Sequence, residues 1–200
     1  MQSIKKALLA LFMTAVIGTT GFGQGFSIGP KVGLNISNYT GGDIKSDALV
    51  GGHFGGVLNF GIGRVFSVQP EVLFSTQGAK IDNAGKKTDF KVNYVTIPIM
   101  LKVRTNGGFY IEAGPQASFK AGEDSNIGGQ TIDKFAKGLD LSLGGGIGYQ
   151  TGIGLGIGAR YVAGLSKVGD FDNWNTIKNP DFKNSVIQVS VFWAIPLKKY

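Results

Sequence analysis

The residues with chemistry to offer are few, and their spacing closes most routes to it. The chain holds one histidine, His53, and no cysteine. Thiolate catalysis, disulfides and zinc–sulfur sites fall away, and a multi-histidine metal site is impossible. As a general base, His53 would suit a hydrolase such as a deacylase working at a membrane surface. That chemistry needs a nucleophile beside the base and a third group to orient it, and no serine stands at a spacing that supplies the nucleophile. The glycine-rich stretch 144–158 contains no complete G-x-G-x-x-G and no Walker lysine. Asp170, Asp172, Asn173 and Asn175 offer oxygens, but Trp174 stands where a calcium loop wants Asp or Asn, and the loop glycine is missing. The expectation is no catalytic residue, no metal and no cofactor.

Six charged residues stay interesting: Lys31, Glu71, Lys102, Glu112, Asp140 and Arg160. Each falls on the polar face of a segment whose side chains alternate polar and apolar, the mark of a strand with two unlike faces. Residues 26–37 place Phe26, Ile28, Pro30, Val32, Leu34 and Ile36 on one face and Ser27, Gly29, Lys31, Gly33, Asn35 and Ser37 on the other. Similar runs cover 49–61, 65–77, 90–104, 109–120, 138–150, 153–166 and 185–197, giving eight strands.

These runs are about 12 to 15 residues long, against a usual five or six in globular sheets. Strands that cross a bilayer at a tilt need about 9 to 11 residues in the hydrocarbon. The connections agree. Residues 62–64, 105–108 and 150–153 are short glycine-rich turns, whereas 38–48, 78–89, 121–137 and 167–184 are longer and polar. Short and long alternate strictly, as in barrels with tight periplasmic turns and long external loops. Backbone groups in a bilayer must find partners within the protein, so the strands must close. The reading is an all-β, eight-stranded antiparallel up-and-down transmembrane β-barrel.

An eight-stranded barrel has room inside for side chains and little else. The polar faces would fill it and the apolar faces would meet lipid. A lipocalin-like barrel would reverse this arrangement, with a greasy pocket inside, whereas the polar face here carries all six charges. Aromatics near the strand ends (Phe26, Phe60, Phe66, Phe109 and Tyr149 below, Phe74 and Phe119 above) would form interfacial girdles. A three-residue turn at 106–108 puts Lys102 opposite Glu112. Asp140 and Arg160, on neighbouring strands, would form a diagonal pair. Such pairs would make a salt-bridged plug, three bases against three acids. Pro98, which has no donor for the ladder, should mark a bulge.

Residues 1–23 read as a signal peptide. Lys5 and Lys6 precede an apolar run from Ala7 to Ile17, with small residues at Gly21 and Gly23 before Gln24. The barrel domain is then 24–200. Without Lys5 and Lys6 it carries 18 basic and 13 acidic residues, a net of +5. Arg64, Arg104, Lys198 and Lys199 fall near the inner rim, suited to phospholipid headgroups. Lys91 and Lys120 fall near the outer rim, suited to lipopolysaccharide phosphates. Dispersed charge on an exported chain argues against nucleic-acid binding.

Several stretches resemble the PorT-like outer-membrane β-barrel family, small barrels of the Bacteroidetes type often labelled porin family. They are Gly29-Pro30-Lys31-Val32-Gly33-Leu34-Asn35-Ile36-Ser37, Tyr94-Val95-Thr96-Ile97-Pro98-Ile99-Met100-Leu101-Lys102 and Phe109-Tyr110-Ile111-Glu112-Ala113-Gly114-Pro115. Arg160-Tyr161, Gly164-Leu165-Ser166 and Gln188-Val189-Ser190-Val191 follow in order. The resemblance implies an outer-membrane location in a Gram-negative envelope and transfers no catalytic residues. One member type of that family is associated with protein secretion.

The function expected from all this is a non-enzymatic integral outer-membrane barrel, structural or partner-binding through its external loops. Its partners would be outer-membrane lipid, lipopolysaccharide and a protein met by the loops, with the barrel itself a monomer. Tyr39, Phe171, Trp174 and Phe182 are the aromatics that would form a loop contact patch. The alternatives are a narrow pore, a protein-secretion component or a lipid-modifying enzyme.

Overall fold

The computed structural model describes residues 25–40, 46–83, 86–127, 130–131, 138–166 and 183–197. The proposed signal peptide therefore lies outside the described residues, as do Lys198, Lys199 and Tyr200. Eight long strands run in chain order: β1 (Phe26–Thr40), β2 (Ser46–Ile62), β3 (Phe66–Asn83), β4 (Lys86–Arg104), β5 (Phe109–Ile127), β6 (Leu139–Gln150), β7 (Leu155–Gly164) and β8 (Lys183–Trp193). Each pairs antiparallel with its neighbours in sequence, and β8 pairs with β1 from Phe192 opposite Lys31 to Lys183 opposite Thr40. Beyond Ala194, residues Ile195–Pro196 continue that seam against Ile28 and Ser27. The sheet thus closes on itself as a barrel, which satisfies the ladders of the wall from within.

The strands alternate as the sequence requires. In β8 the even residues Asn184, Val186, Gln188, Ser190 and Phe192 are buried, while Ile187, Val189, Val191 and Trp193 lie exposed. Large apolar side chains cover the outside of the wall, from Val32 and Leu34 in β1 through Leu101 and Ile111 to Ile157. A chain in water would not leave so many contiguous apolar groups exposed; facing hydrocarbon, they lose nothing. Aromatic pairs mark the short-turn end of this band, Phe26–Phe60 at 5.1 Å and Phe109–Tyr149 at 5.8 Å, and Phe54–Phe74 pack at 5.5 Å farther along the wall.

The three short turns lie at one end with Gly25 and Leu197, the first and last described residues. In one of them Thr105 N donates to Phe109 O at 2.8 Å, closing the three residues 106–108. Gly63, Gly108 and Gly154 hold positive φ angles of 70°, 95° and 89° in these turns, a conformation that L side chains rarely adopt.

The other end departs from expectation. β3, β4 and β5 are 18, 19 and 19 residues long. Most of the stretch expected as a loop at 78–89 is a continuing hairpin, paired out to Asn83 opposite Lys86. Strand β5 likewise runs to Ile127, and Gln130–Thr131 fold back on it. Polarity stops a strand from facing lipid but does not stop it from pairing, so the ladder outlasts the membrane. Pro98 also differs from expectation. It stays in register opposite Gln116, and the shift between β4 and β5 falls at Asn93/Tyr94.

A charge cluster in the barrel lumen as the candidate functional site

The inward faces deliver their polar side chains into the lumen, where all six expected charges are buried. Five of them converge. Arg160, from β7, is central: Nη1 and Nη2 donate to Glu71 Oε2 and Oε1 at 3.0 and 2.8 Å, and Nε donates to Glu112 Oε1 at 2.8 Å. Lys31, from β1, donates to both Glu71 oxygens at 3.0 and 2.9 Å. Lys102 lies opposite Glu112 in the ladder, as the turn geometry requires. Its Nζ is 3.9 Å from Glu112 Oε2 and donates to Gln69 Oε1 at 2.7 Å. Gln69 in turn donates to Glu71 Oε1 at 2.8 Å.

Charges taken out of water need partners close by, or burial costs several kcal/mol per ion. Here β1, β3, β4, β5 and β7 each send one charge into the lumen, and the guanidinium fork of Arg160 joins two carboxylates. Glu71 is 1% exposed and Arg160 3%, so both charges are almost wholly sealed by the side chains around them.

Asp140 does not join them, and the expected pair with Arg160 is absent. Arg160 stands opposite Gly146, whereas Asp140 stands opposite Ser118, six residues farther along β6. At about 3.3 Å per residue that is roughly 20 Å along the strand. Asp140 accepts instead from Ser166 Oγ at 2.6 Å and lies 3.5 Å from Asn184 Nδ2. The central cluster is therefore three bases against two acids, not a balanced set of six.

Below the cluster, towards the short turns, Val57, Tyr110, Phe192 and Ala194 form a small apolar group. Lys102 Nζ rests over the Tyr110 and Phe192 rings at 4.0 and 4.5 Å, favourable ground for a cation. Above it, His53 lies between Asn35 Oδ1 at 2.7 Å and Ser190 Oγ at 2.9 Å. Asn35 Nδ2 donates to the carbonyls of Gly52 and Thr76, which fixes its oxygen towards the ring. Nδ1 of His53 then carries the proton and Nε2 accepts from Ser190.

That is the nucleophile, base and orienter order of a serine hydrolase, and spacing along the chain did not disclose it. Ser190 is on β8 and His53 on β2; only the β8–β1 seam brings them together. The geometry lacks room for a substrate, because Ser190, His53 and Asn35 are 5%, 2% and 0% exposed. Gly33 fits beneath the ring only because it has no side chain: a Cβ there would meet His53 Cε1 at 2.6 Å. The trio packs the lumen with its polar groups satisfied.

Of the aromatic contact patch, Phe171, Trp174 and Phe182 lie outside the described residues. Tyr39 is not in a loop: it sits near the end of β1, opposite Asn184 of β8, because pairing continues past residue 37.

A family model for the outer membrane protein beta-barrel domain matches residues 20–170. Among solved structures, the chain is similar to Neisserial surface protein A (NspA), with 15% identity and a TM-score of 0.56 over 86% of this chain and 100% of that one. It is also similar to the outer membrane protein OprG from Pseudomonas aeruginosa, with 12% identity and a TM-score of 0.55 over 88% of this chain and 96% of that one. At these identities the likeness is one of fold. No curated protein gives a significant sequence match.

Proposed function

The chain belongs to the outer membrane protein beta-barrel domain family, and from that premise we propose a closed, non-conducting and non-enzymatic barrel that presents its outer loops to a partner. The observation that carries this reading is the five-charge cluster of Lys31, Glu71, Lys102, Glu112 and Arg160, which fills the lumen at mid-height. A pore needs a continuous water path, and an eight-stranded barrel stoppered by buried ion pairs offers none. An enzyme needs a site that its substrate enters, and the Ser190–His53–Asn35 trio is enclosed.

The lengths of β3, β4 and β5 support the loop reading. Strands of 18 and 19 residues exceed the 9 to 11 or so that a bilayer needs, so their outer ends stand as a stiff paired wall beneath the loops. The stretches 29–37, 94–102 and 109–115 further support a PorT-like membership, with export by the segment at 1–23. Planar-bilayer recording tests the proposal: purified protein should give no discrete conductance steps, and the E71Q variant, with its stopper loosened, should give intermittent ones. Reproducible steps from the unaltered protein would refute it.

A further inference from the structure

On the side of the short turns lies a vestibule of about 170 Å³ whose wall includes Asn59, Ser67, Gln150, Lys102, Arg104 and Arg64. A second hollow of about 250 Å³ adjoins it, sharing Arg64, Arg104 and Gln150. Three cations border this mouth, and among the described residues no carboxylate lines either hollow.

The cluster above accounts for only part of that positive charge. Lys31 and Arg160 contact Glu71 at 2.9 and 2.8 Å, and Arg160 also contacts Glu112 at 2.8 Å. Two carboxylates against three bases leave a surplus of one positive charge. It falls to Lys102, whose nearest carboxylate oxygen is 3.9 Å away and which lies at the vestibule floor. Lys102 is 1% exposed, so bulk water does little to screen it. The guanidinium groups of Arg64 and Arg104 have no hydrogen-bond or ion-pair partner among the described residues. Arg104 follows Lys102 by two positions in β4 and faces inward with it, while Arg64 hangs from the β2–β3 turn at the rim.

We infer that the vestibule is a binding site for a phosphate-class anion, held by Arg64 and Arg104 with Lys102 behind it. Guanidinium forks match phosphate oxygens two at a time. The Ser67 hydroxyl, which accepts from Asn59 Nδ2 at 3.1 Å, and the second N–H of Gln150 add neutral donors around the charge. The hollow takes a phosphate group with several waters, each occupying about 30 Å³. Bound there, the anion neutralises the one surplus charge of the lumen and caps the stopper from the periplasmic side. The same chemistry reaches the site as a soluble phosphate or as the headgroup of an inner-leaflet anionic lipid, because the turn that carries Arg64 lies at the membrane boundary.

The experiment uses the full chain in maltoside micelles, which contain no phosphate. In one arm inorganic phosphate is titrated, and in the other a short-chain phosphatidylglycerol. The arginine side-chain NH signals are followed by NMR, with sodium chloride at matched ionic strength as the control. A saturable shift of the Arg64 and Arg104 signals in either arm, with an accompanying shift of the Gln150 side-chain amide whose midpoint concentration rises at least tenfold in R64Q/R104Q, supports the site, and the arm that responds identifies the source. No saturable shift in either arm overturns it. So does undiminished binding by an R64Q/R104Q variant that still shows the compact, heat-modifiable gel band. The unaltered protein is decisive alone should the variant not fold.

Discussion

At the scale of the residue, the clearest object is Glu71. It receives Lys31, Arg160 and Gln69 at 3.0 Å or less and is buried. Replacing it by glutamine keeps the volume and removes the charge, leaving Lys31 and half of the Arg160 fork buried without a counter-charge. The expected loss is about 3–5 kcal/mol, read as a lower urea midpoint for unfolding from lipid vesicles; an unchanged midpoint would show the lumen charges to be idle. Ser190 gives a second residue-scale test. Although His53 Nε2 accepts from its hydroxyl, an enclosed serine should not react with a fluorophosphonate probe in the folded protein. Stoichiometric labelling would reopen the hydrolase reading. Of these contacts, the sequence disclosed Lys102 opposite Glu112, because one turn joins their strands and fixes the register. It could not disclose Arg160 with Glu71, 89 residues apart on strands that are not neighbours. Those groups meet across the barrel axis, and period-two reasoning says which face a residue takes but not what stands on the far wall.

At the scale of the element, strand number, facing and the short turns were legible, because alternation and glycine-rich corners are local properties. The outer strand ends were not. Continued pairing from residues 78 to 89 depends on two polar segments finding each other in water, which hydropathy does not report. The β6–β7 wall shows a constraint of the same hidden kind. Gly148 and Gly158 face each other across it, and a Cβ on either would collide with the Tyr110 hydroxyl. These two glycines seat the ring over which Lys102 rests. G158V should push Tyr110 away and strain the wall, costing roughly 1–3 kcal/mol in the manner of an overpacked core. A urea midpoint equal to that of the unaltered barrel would mean that the ring has freedom to move.

At the scale of the whole molecule, closure converts an alternating sequence into two environments with opposite rules. Outside, apolar side chains meet lipid. Inside, polar side chains pair with one another in layers, the vestibule, the aromatic floor, the five charges, the His53 layer, and Asp140 with Asn184 and Gln77 near the top, and leave only a few buried oxygens such as Gln188 Oε1 without a partner. That opposition is the central claim, and β5 tests it most directly. The chain has no native cysteine, so single cysteines from position 109 to 117 can each carry a nitroxide label in lipid bilayers. Paramagnetic resonance then measures how readily dissolved oxygen, which concentrates in hydrocarbon, collides with each label. Accessibility should peak at the odd positions, where Phe109, Ile111, Ala113 and Pro115 face lipid, and fall at 110, 112, 114 and 116. Peaks at the even positions, or no alternation, would contradict the account.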